Sequence, residues 1–316
     1  MEVAKYLSAK ELKVIELGAV NSESFVSFYT ANKDEVETLL RKRGAIKFTG
    51  VRIESKEDFQ YIVDSIGEKF LNYIDGNSPR TKLSDKVYTS TEYNQDQKIT
   101  MHNELSYSAK WPNRLFFSCI QPAESGGETL LADSREILQN MNPNIVRQVE
   151  SKGVTYIRNL HAGQGIGPSW QDTFETESKE EVEKLCRKLS IEFEWSKYDE
   201  IRLRQSRKGI ITHRTTGEKI WFNQIDQFHP CQLGDKLYKM LSVMYQLPDE
   251  YPTYVTYGDG SEIAESMVKE IIATIDKVTI APKWNKNELL LVDNELVSHG
   301  RSPYTGNRSV LVAMSL

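Results

Sequence analysis

The alternation of apolar and polar positions predicts helices and short strands in the first part of the chain. Apolar residues recur at helical spacing in NKDEVETLLRKR, which starts at Asn32 and stops before Gly44, and in SKEDFQYIVDSIGEKFLNYI, which starts at Ser55. AIKFTG from Ala45 and LFFSCIQ from Leu115 are short runs rich in aliphatic and aromatic residues. Such runs are typical of buried strands.

The rest of the chain mixes more strands with separate helices. Helical spacing is found in SREILQNM, PNIVRQVESKG, SKEEVEKLCRKLS, QLGDKLYKMLSVMYQL and GSEIAESMVKEIIATID. Strand-like segments are TLLAD, VTYIRNL, IEFEWSKYD, IRLRQSR, GIITHRT, KIWFNQ, NELLLVDN and RSVLVAMSL, the last two flanking the turn-rich LVSHGRSPYTGN. Regular βαβ alternation is not visible. The pattern therefore predicts a mainly β fold with helical insertions, as an antiparallel barrel or jelly roll.

The organisation of the chain predicts one domain. Neither an internal repeat nor a low-complexity segment or Gly/Ser linker divides its 316 residues. We expect a single domain over residues 1–316, with helix–strand elements at the N-terminus and a helical insertion near residues 160–200.

Composition and charge narrow the class of protein. The chain is 39% hydrophobic and 27% charged, as is usual for a globular protein, and its net charge of −5 argues against a nucleic-acid partner. An apolar run of roughly 20 residues, as a membrane span needs, is absent, and so is a signal-peptide pattern. The scattered Cys119, Cys186 and Cys231 fit free thiols in a reducing compartment. We therefore expect a cytoplasmic protein without a membrane partner.

The segment MHNELSY carries the first candidate chemistry. In a strand or at its end, residues i and i+2 project to the same face, so His102 and Glu104 would point together. One imidazole and one carboxylate are two of the three ligands of a 2-His-1-carboxylate metal site. A surface His-x-Glu pair formed by chance is the alternative.

His299 and Arg308 are candidates for the remainder of the site. His299 follows LLLVDNELVS, where an apolar strand is expected to pass into a turn, and Arg308 starts the last apolar strand. Strands distant in sequence lie side by side in a jelly roll, so His299 could meet the His-x-Glu pair. An arginine facing the barrel interior needs an anion, such as a dicarboxylate cosubstrate. A salt bridge at the rim is the alternative for Arg308.

Five ordered motifs resemble a known family. From about Tyr88 to the C-terminus, the chain is similar to the taurine dioxygenase-like (TauD/TfdA) family of Fe(II)/2-oxoglutarate oxygenases. Within that family it resembles the syringomycin-type branch, which hydroxylates amino acids in peptide natural-product pathways such as antibiotic biosynthesis. The resemblance implies a double-stranded β-helix core, which is a cupin-like jelly roll. The motifs are HNELSY, PAESGGETLLADSR, WFNQIDQFHP, YGDGSEI and LLLVDNELVSHGRSPYTGNRSVLVAM.

The resemblance also implies roles for individual residues. His102, Glu104 and His299 would bind Fe(II) as a facial triad. The hydroxyl of Thr129 would hydrogen-bond the cosubstrate 2-oxoglutarate, and Arg308 would pair with its distal carboxylate. With O2 as the second cosubstrate, family members hydroxylate an unactivated C–H bond of their substrate.

The substrate is defined less well by the sequence. The resemblance implies an amino acid or an amino-acid-derived small molecule, taken either free or tethered to a carrier protein. Trp221 and Asn223 in KIWFNQ match a family segment near the substrate, although core packing explains the aromatic residue equally well. The glycine-rich segment from Gly163 is either a lid or an ordinary surface loop.

Two departures from the family pattern bear on the alternatives. Glu104 stands where most members have Asp, a form shared with clavaminate synthase, and it argues against a halogenase, in which Ala or Gly replaces this ligand. Asn287 and Glu288 replace the usual Gly-Asp, which is expected to change only a turn. Desaturation and cyclisation by the same chemistry remain open, and a non-catalytic jelly-roll binding protein is the alternative from another class. A zinc hydrolase with three histidine ligands is disfavoured, because no further histidine has a matching spacing.

Overall fold

The computed structural model describes residues 12–70, 81, 83–84, 87–89 and 94–316. The strands in this part of the chain are β1 (Lys13–Val20), β2 (Ala45–Val51), β3 (Val87–Thr89), β4 (Ile99–His102), β5 (Arg114–Gln121), β6 (Ser125–Gly126), β7 (Thr129–Asp133), β8 (Val154–Leu160), β9 (Glu192–Trp195), β10 (Ile201–Arg207), β11 (Ile210–Thr212), β12 (Lys219–Trp221), β13 (Thr253–Tyr257), β14 (Glu288–Asp293), β15 (Val297–Arg301), β16 (Tyr304–Thr305) and β17 (Ser309–Ser315).

The helices lie mainly between these strands. They are α1 (Ser22–Ala31), α2 (Lys33–Arg43), α3 (Lys56–Ile66), α4 (Ser134–Asn140), α5 (Pro143–Lys152), α6 (Trp170–Phe174), α7 (Lys179–Lys188), α8 (Ile225–Phe228), α9 (Asp235–Met244) and α10 (Glu265–Val278), with 3₁₀ turns at Pro230–Leu233 and Pro248–Glu250. Within the described residues, no helix has the length and apolar character needed to cross a membrane.

A six-stranded sheet in the order β1-β2-β14-β5-β17-β3 forms the largest layer. β14 and β17 flank β5 antiparallel, so that Phe117 lies opposite Leu290 on one side and Val312 on the other. Two strands from the end of the chain therefore lie on either side of a strand from its first half. The three strands correspond to the apolar runs LFFSCIQ, NELLLVDN and RSVLVAMSL, which pack in one core.

Both faces of this sheet are buried, which explains the continuous apolar runs. Along β5, Leu115 and Phe117 belong to one core cluster, whereas Phe116 belongs to another that includes Phe25 of α1 and Phe59 of α3. Successive side chains of a strand point to opposite faces. Helices α1 and α3 thus cover one face of β5, and the rest of the protein packs against the other.

A second, three-stranded sheet has the order β4-β15-β7. Apolar residues from each of its strands belong to the same core cluster as Leu115 and Phe117 of β5. Its central strand, β15, is antiparallel to both neighbours, and His299 lies directly opposite His102 across β4 and opposite Leu131 across β7. The ring of Phe117 from the large sheet is 5.4 Å from that of His299. The histidines consequently lie where the two sheets meet.

The predicted insertion near residues 160–200 contains helices α6 and α7, but strands as well. β8, β9 and β10 form a four-stranded sheet with β13 in the order β13-β8-β10-β9. Leu160, Trp170, Val182 and Leu203 form a core cluster with further apolar residues at this end of the sheet. The insertion is therefore a strand-and-helix layer.

Most predicted elements are confirmed, and the differences have physical causes. α2 ends at Gly44, whose φ of 72° suits the left-handed cap. The helix predicted from Ser55 to Ile74 ends earlier, with Gly67 following α3, and its last four positions lie outside the described residues. β1 and α1 were not predicted. The turn predicted around His299 is wrong: it contains β15, whose polar residues are buried because β4 and β7 pair with them.

Candidate metal centre

Three side chains that the sequence singled out come together in the structure. One ligand atom from each of His102, Glu104 and His299 lies within 4.8 Å of the others, and all three residues are buried. His102 is the last residue of β4 and His299 is the middle residue of β15, whereas Glu104 lies in the turn after β4. A turn, and not the two-residue period of a strand, thus directs the carboxylate toward the histidines.

Asn294 holds that turn in place. The Glu104 backbone N–H donates to Asn294 Oδ1 over 2.7 Å, and Asn294 Nδ2 donates to the carbonyl oxygens of Glu104 and Pro112 over 3.0 and 2.8 Å. Leu105, the next residue, has a φ of 56°, a conformation uncommon outside glycine. Asn294 therefore links the turn of Glu104 to the segment that leads into β15.

The donor set fits a divalent transition metal. His102 Nδ1 lies 2.9 Å from the Thr100 carbonyl oxygen, so Nδ1 carries the proton and Nε2 keeps its lone pair for a metal. His299 Nε2 is 3.7 Å from Glu104 Oε2. Two atoms that each bind one ion at about 2.1 Å can be at most about 4.2 Å apart, so this pair can share an ion. Two imidazoles and one carboxylate are the ligands of non-haem Fe(II) oxygenases.

Thr129 lies opposite Arg301 of β15, the strand that carries His299, and Arg308 contacts Gly127, two residues before Thr129. Thr129 is the buried first residue of β7, and Trp284 Nε1 donates to its hydroxyl oxygen over 3.0 Å. Arg308 precedes β17 and donates through Nε to the carbonyl oxygen of Gly127 over 2.8 Å. A side chain on Gly127 would place its Cβ only 3.0 Å from Arg308 Cδ. The glycine therefore allows the guanidinium to lie against the strand that begins at Thr129.

The surroundings of Arg308 favour an anion. Burial and the nearby charge of Arg301 lower the pKa of the Arg308 guanidinium to about 10. Burial also lowers the pKa of Arg301. Each effect disfavours the cationic form, and the negative charge of a bound carboxylate would oppose them. We call Gly127, Thr129, Arg301 and Arg308 the arginine pocket.

The proposed substrate residues are held inside the protein. Asn223 Nδ2 donates to the Gly209 carbonyl oxygen over 2.8 Å, and its Oδ1 accepts the Ile225 N–H over 3.1 Å. Trp221 is 2% exposed and belongs to the large core cluster. The roles of Asn223 and Trp221 in substrate binding remain predictions, and both side chains have structural contacts.

Three residues around the centre were not singled out from the sequence. They are Asn294, Trp284 and Gln227, whose Nε2 is 3.4 Å from His102 Nδ1. Asn294 ends the apolar run LLLVDN. A polar residue there suggests a buried hydrogen-bonding role, but its partners are distant in the sequence.

The other histidines have structural hydrogen bonds. His161 Nδ1 accepts the Gly163 N–H, His213 Nδ1 accepts the Thr216 N–H and His229 Nδ1 accepts the Cys231 N–H. Each ring thus stabilises a local turn. Among the described residues, the only cluster of metal-ligating side chains of this type is the one formed by His102, Glu104 and His299.

The glycine-rich segment from Gly163 lies beside a cleft that the three candidate metal ligands do not line. Gly165 and Ile166 line this cleft of about 400 Å³ together with Trp195 of β9 and Tyr245. His102, Glu104 and His299 do not line it. The structure therefore places this segment at the edge of the insertion layer, and its function as a lid remains a prediction.

Asp226 on α8 gives a testable pH effect. Its carboxyl is buried, Oδ1 has no hydrogen-bond partner among the described residues, and burial raises its pKa to about 7. In the unfolded chain the pKa of an aspartate is about 3.9. Burial of this carboxyl therefore costs no stability from its charge below about pH 3.9, where it is protonated in both states, and the folded state loses stability relative to the unfolded state as the pH rises through 7. Asp226→Asn is therefore expected to be more stable than the parent at about pH 8, by about 1.4 kcal/mol per unit of pKa difference at most.

The measurement is the free energy of unfolding in urea at about pH 5 and about pH 8 for both proteins. The advantage of the variant should increase with pH. Equal pH dependence in the two proteins would show that Asp226 does not titrate in this range. Glu150→Gln, which changes an exposed carboxylate paired with Lys219, is the matched control.

The buried two-histidine, one-carboxylate cluster beside a cationic pocket defines a non-haem iron type of centre. Comparison with known proteins agrees with this class. The chain belongs to the TauD/TfdA family: the family described as "Taurine catabolism dioxygenase TauD, TfdA family" matches residues 9–314. The protein is thus an Fe(II)/2-oxoglutarate-dependent dioxygenase, as the sequence motifs predicted.

One relative supports the family assignment, and solved structures support the fold. The dapdiamide synthesis protein DdaC of Enterobacter agglomerans is 34% identical over 279 residues, which cover 88% of this chain and 84% of that protein. A putative alpha-ketoglutarate-dependent taurine dioxygenase from Burkholderia xenovorans shares the fold with a TM-score of 0.52 at 11% identity, covering 98% of this chain and 91% of its own.

A further solved structure, AAD-2 in complex with Mn(II) and N-oxalylglycine, has a TM-score of 0.53 at 13% identity and covers 96% of this chain and 93% of its own. At these identities the structures establish the fold, which is that of TauD-like dioxygenases.

Proposed function

We propose that this enzyme hydroxylates an unactivated C–H bond of an amino acid or amino-acid-derived substrate in a peptide natural-product pathway. The observation that carries the proposal is the buried cluster of His102, Glu104 and His299 within 4.8 Å, in which the carboxylate ligand is retained. The 34% identity to a dapdiamide synthesis protein supports a biosynthetic role with an amino-acid-like substrate.

Each part of the site has a task in this proposal. His102, Glu104 and His299 would hold Fe(II), which when bound would be the site at which 2-oxoglutarate and O2 react. Thr129 donates a hydrogen bond to 2-oxoglutarate, and Arg308 binds its distal carboxylate through a charge-assisted fork. When bound, the metal and the two cosubstrates supply the oxidising power for the reaction.

The surrounding fold would orient the substrate and exclude water. Phe117 packs against His299 with ring centroids 5.4 Å apart, so one wall of the centre is aromatic. The six-stranded and three-stranded sheets share one core, an arrangement that supports a jelly-roll core within a single domain of residues 1–316. Dry walls reduce side reactions of a reactive centre.

The experiment that tests the proposal starts from anaerobic protein with Fe(II) and 2-oxoglutarate. Addition of O2 with a panel of free amino acids, and with the same amino acids loaded on a carrier protein, should give succinate and one product with one added oxygen atom. A product that has lost two hydrogens would indicate desaturation or cyclisation. Failure of the protein to bind Fe(II) would favour a non-catalytic binding protein.

Glu104 gives a prediction about halide. Its carboxylate would bind the metal in place of a halide, so excess chloride or bromide is expected to leave the hydroxylated product unchanged. The measurement is product mass after reaction in isotopic O2, with and without halide, and the added oxygen should carry the label. A halogenated product from the parent enzyme would contradict the assignment of Glu104 as a ligand. Glu104→Ala is expected to lose most hydroxylation.

A further inference from the structure

We infer that Trp284 is a positioning residue for 2-oxoglutarate, acting through the hydroxyl of Thr129. This inference rests on the proposed role of Thr129 in binding that cosubstrate. Trp284 Nε1 donates to Thr129 Oγ1 over 3.0 Å, and Thr129 is buried.

The direction of this hydrogen bond determines what the hydroxyl can do next. An indole N–H only donates, so Thr129 Oγ1 must accept from Trp284. The hydroxyl proton cannot then point at the indole, and it is directed to another acceptor. A cosubstrate carboxylate is an acceptor of this kind. Trp284 thus orients the hydroxyl as a donor before the carboxylate arrives, which reduces the cost of ordering it on binding.

A buried ion pair holds the segment that carries Trp284. Lys47 Nζ and Glu288 Oε2 are 2.8 Å apart, with side chains 8% and 5% exposed. Lys47 Nζ also donates to the Lys283 carbonyl oxygen over 2.5 Å and lies 5.2 Å from the centroid of the Trp284 ring. The backbone N–H of Asn285 donates to the same Glu288 oxygen over 2.8 Å. The residues on both sides of Trp284 are therefore fixed by one ion pair.

Asn287 and Glu288, which depart from the family pattern, help to hold the segment that carries Trp284. Asn287 has a φ of 65°, a conformation that asparagine tolerates better than most residues, so the turn survives without glycine. Glu288 is buried and does more than reshape a turn, because it binds both Lys47 and Asn285. The expectation that this departure changes only a turn is therefore too narrow.

This segment lies next to the arginine pocket. The N–H of Asn287 donates to the Cys119 carbonyl oxygen over 3.1 Å, which fixes the segment against β5. Trp284 donates to the Thr129 hydroxyl, and Arg308 donates to the carbonyl oxygen of Gly127, two residues earlier in the chain. Trp284 and Arg308 therefore contact the same short segment, residues 127–129.

The test compares 2-oxoglutarate affinity in variants that remove each partner. Trp284→Phe keeps an aromatic ring and removes the donor, and it is expected to weaken 2-oxoglutarate binding roughly three- to tenfold. The dissociation constants are measured by calorimetry with the Mn(II)-loaded protein, without turnover, and metal affinity is measured on the same samples. Metal affinity should not change. Trp111→Phe is the matched control, because it removes an indole hydrogen bond to Glu295, outside the arginine pocket.

A double-mutant cycle with Thr129→Val separates this role from general packing. Once the hydroxyl is gone, Trp284→Phe should have little further effect on 2-oxoglutarate affinity. Unchanged affinity in Trp284→Phe, or full additivity with Thr129→Val, would overturn the inference and leave the proposed function intact. A parent protein that does not bind 2-oxoglutarate would instead overturn the proposed function as well. If Trp284→Phe alters metal affinity or thermal stability, Trp284→Met is put through the same cycle, and additivity there overturns the inference.

Discussion

Replacement of His102 by Ala is expected to abolish Fe(II) binding and, with it, all turnover. The change removes one of three protein ligands from a site in which their donor atoms lie within 4.8 Å. Two remaining donors hold a divalent metal much more weakly, since affinity depends on the number and geometry of ligands. Anaerobic addition of Fe(II) and 2-oxoglutarate to the parent should give a weak visible charge-transfer band, and the variant should lack it.

His161→Ala is the matched control for this experiment. The His161 ring hydrogen-bonds to Gly163 and Gly167 in its own loop, so the variant should leave both iron binding and the band unchanged. A His102→Ala protein that kept the band would show that His102 is not a ligand. The candidate centre would then have to be abandoned, because His102 supplies the histidine directly opposite His299.

Replacement of Arg308 by Ala is expected to raise the 2-oxoglutarate concentration required for activity by roughly tenfold or more. A charge-assisted hydrogen bond contributes roughly 1.5–3 kcal/mol, and truncation would also leave the bound carboxylate without its cationic partner. Iron binding should survive, because Arg308 is not a ligand. The measurement is the dependence of succinate formation on 2-oxoglutarate, together with Fe(II) affinity.

Arg308→Lys tests whether charge alone is sufficient. Lysine retains the positive charge and loses the planar fork that matches a carboxylate, so it should be intermediate between the parent and Arg308→Ala. An unchanged 2-oxoglutarate requirement in Arg308→Ala would return this residue to an ordinary structural role, held by its hydrogen bond to Gly127.

The parts of the fold that the sequence predicted are those with a strong local pattern. β5, β14 and β17 are continuous apolar runs because both faces of the large sheet are covered, and α2 has a glycine at its end. β15 has no such pattern. Val297–Arg301 contains serine, histidine, glycine and arginine, all buried, and its place in a sheet comes from β4 and β7, which are far away in sequence.

The candidate site divides in the same way. The ligand types could be proposed from MHNELSY and from the resemblance, because residue identity carries that information. The turn at Glu104 could not be predicted from the sequence, because it is held by hydrogen bonds to Asn294, in the other half of the chain. The partner of Thr129 was missed for the same reason: Trp284 reaches it across 155 positions of sequence.

The hydrogen bonds of Asn294 also set the order in which the enzyme can mature. On the ribosome, His102 and Glu104 emerge long before Asn294 and His299. The Glu104 turn lacks the hydrogen bonds that hold it until Asn294 has been made, and β5 lacks its second flanking strand until β17 is in place. The nascent chain therefore presents an incomplete set of donors to cellular iron. The complete set of metal ligands can therefore assemble only after residues 1–299 have been made, because His299 is the last of the three in sequence.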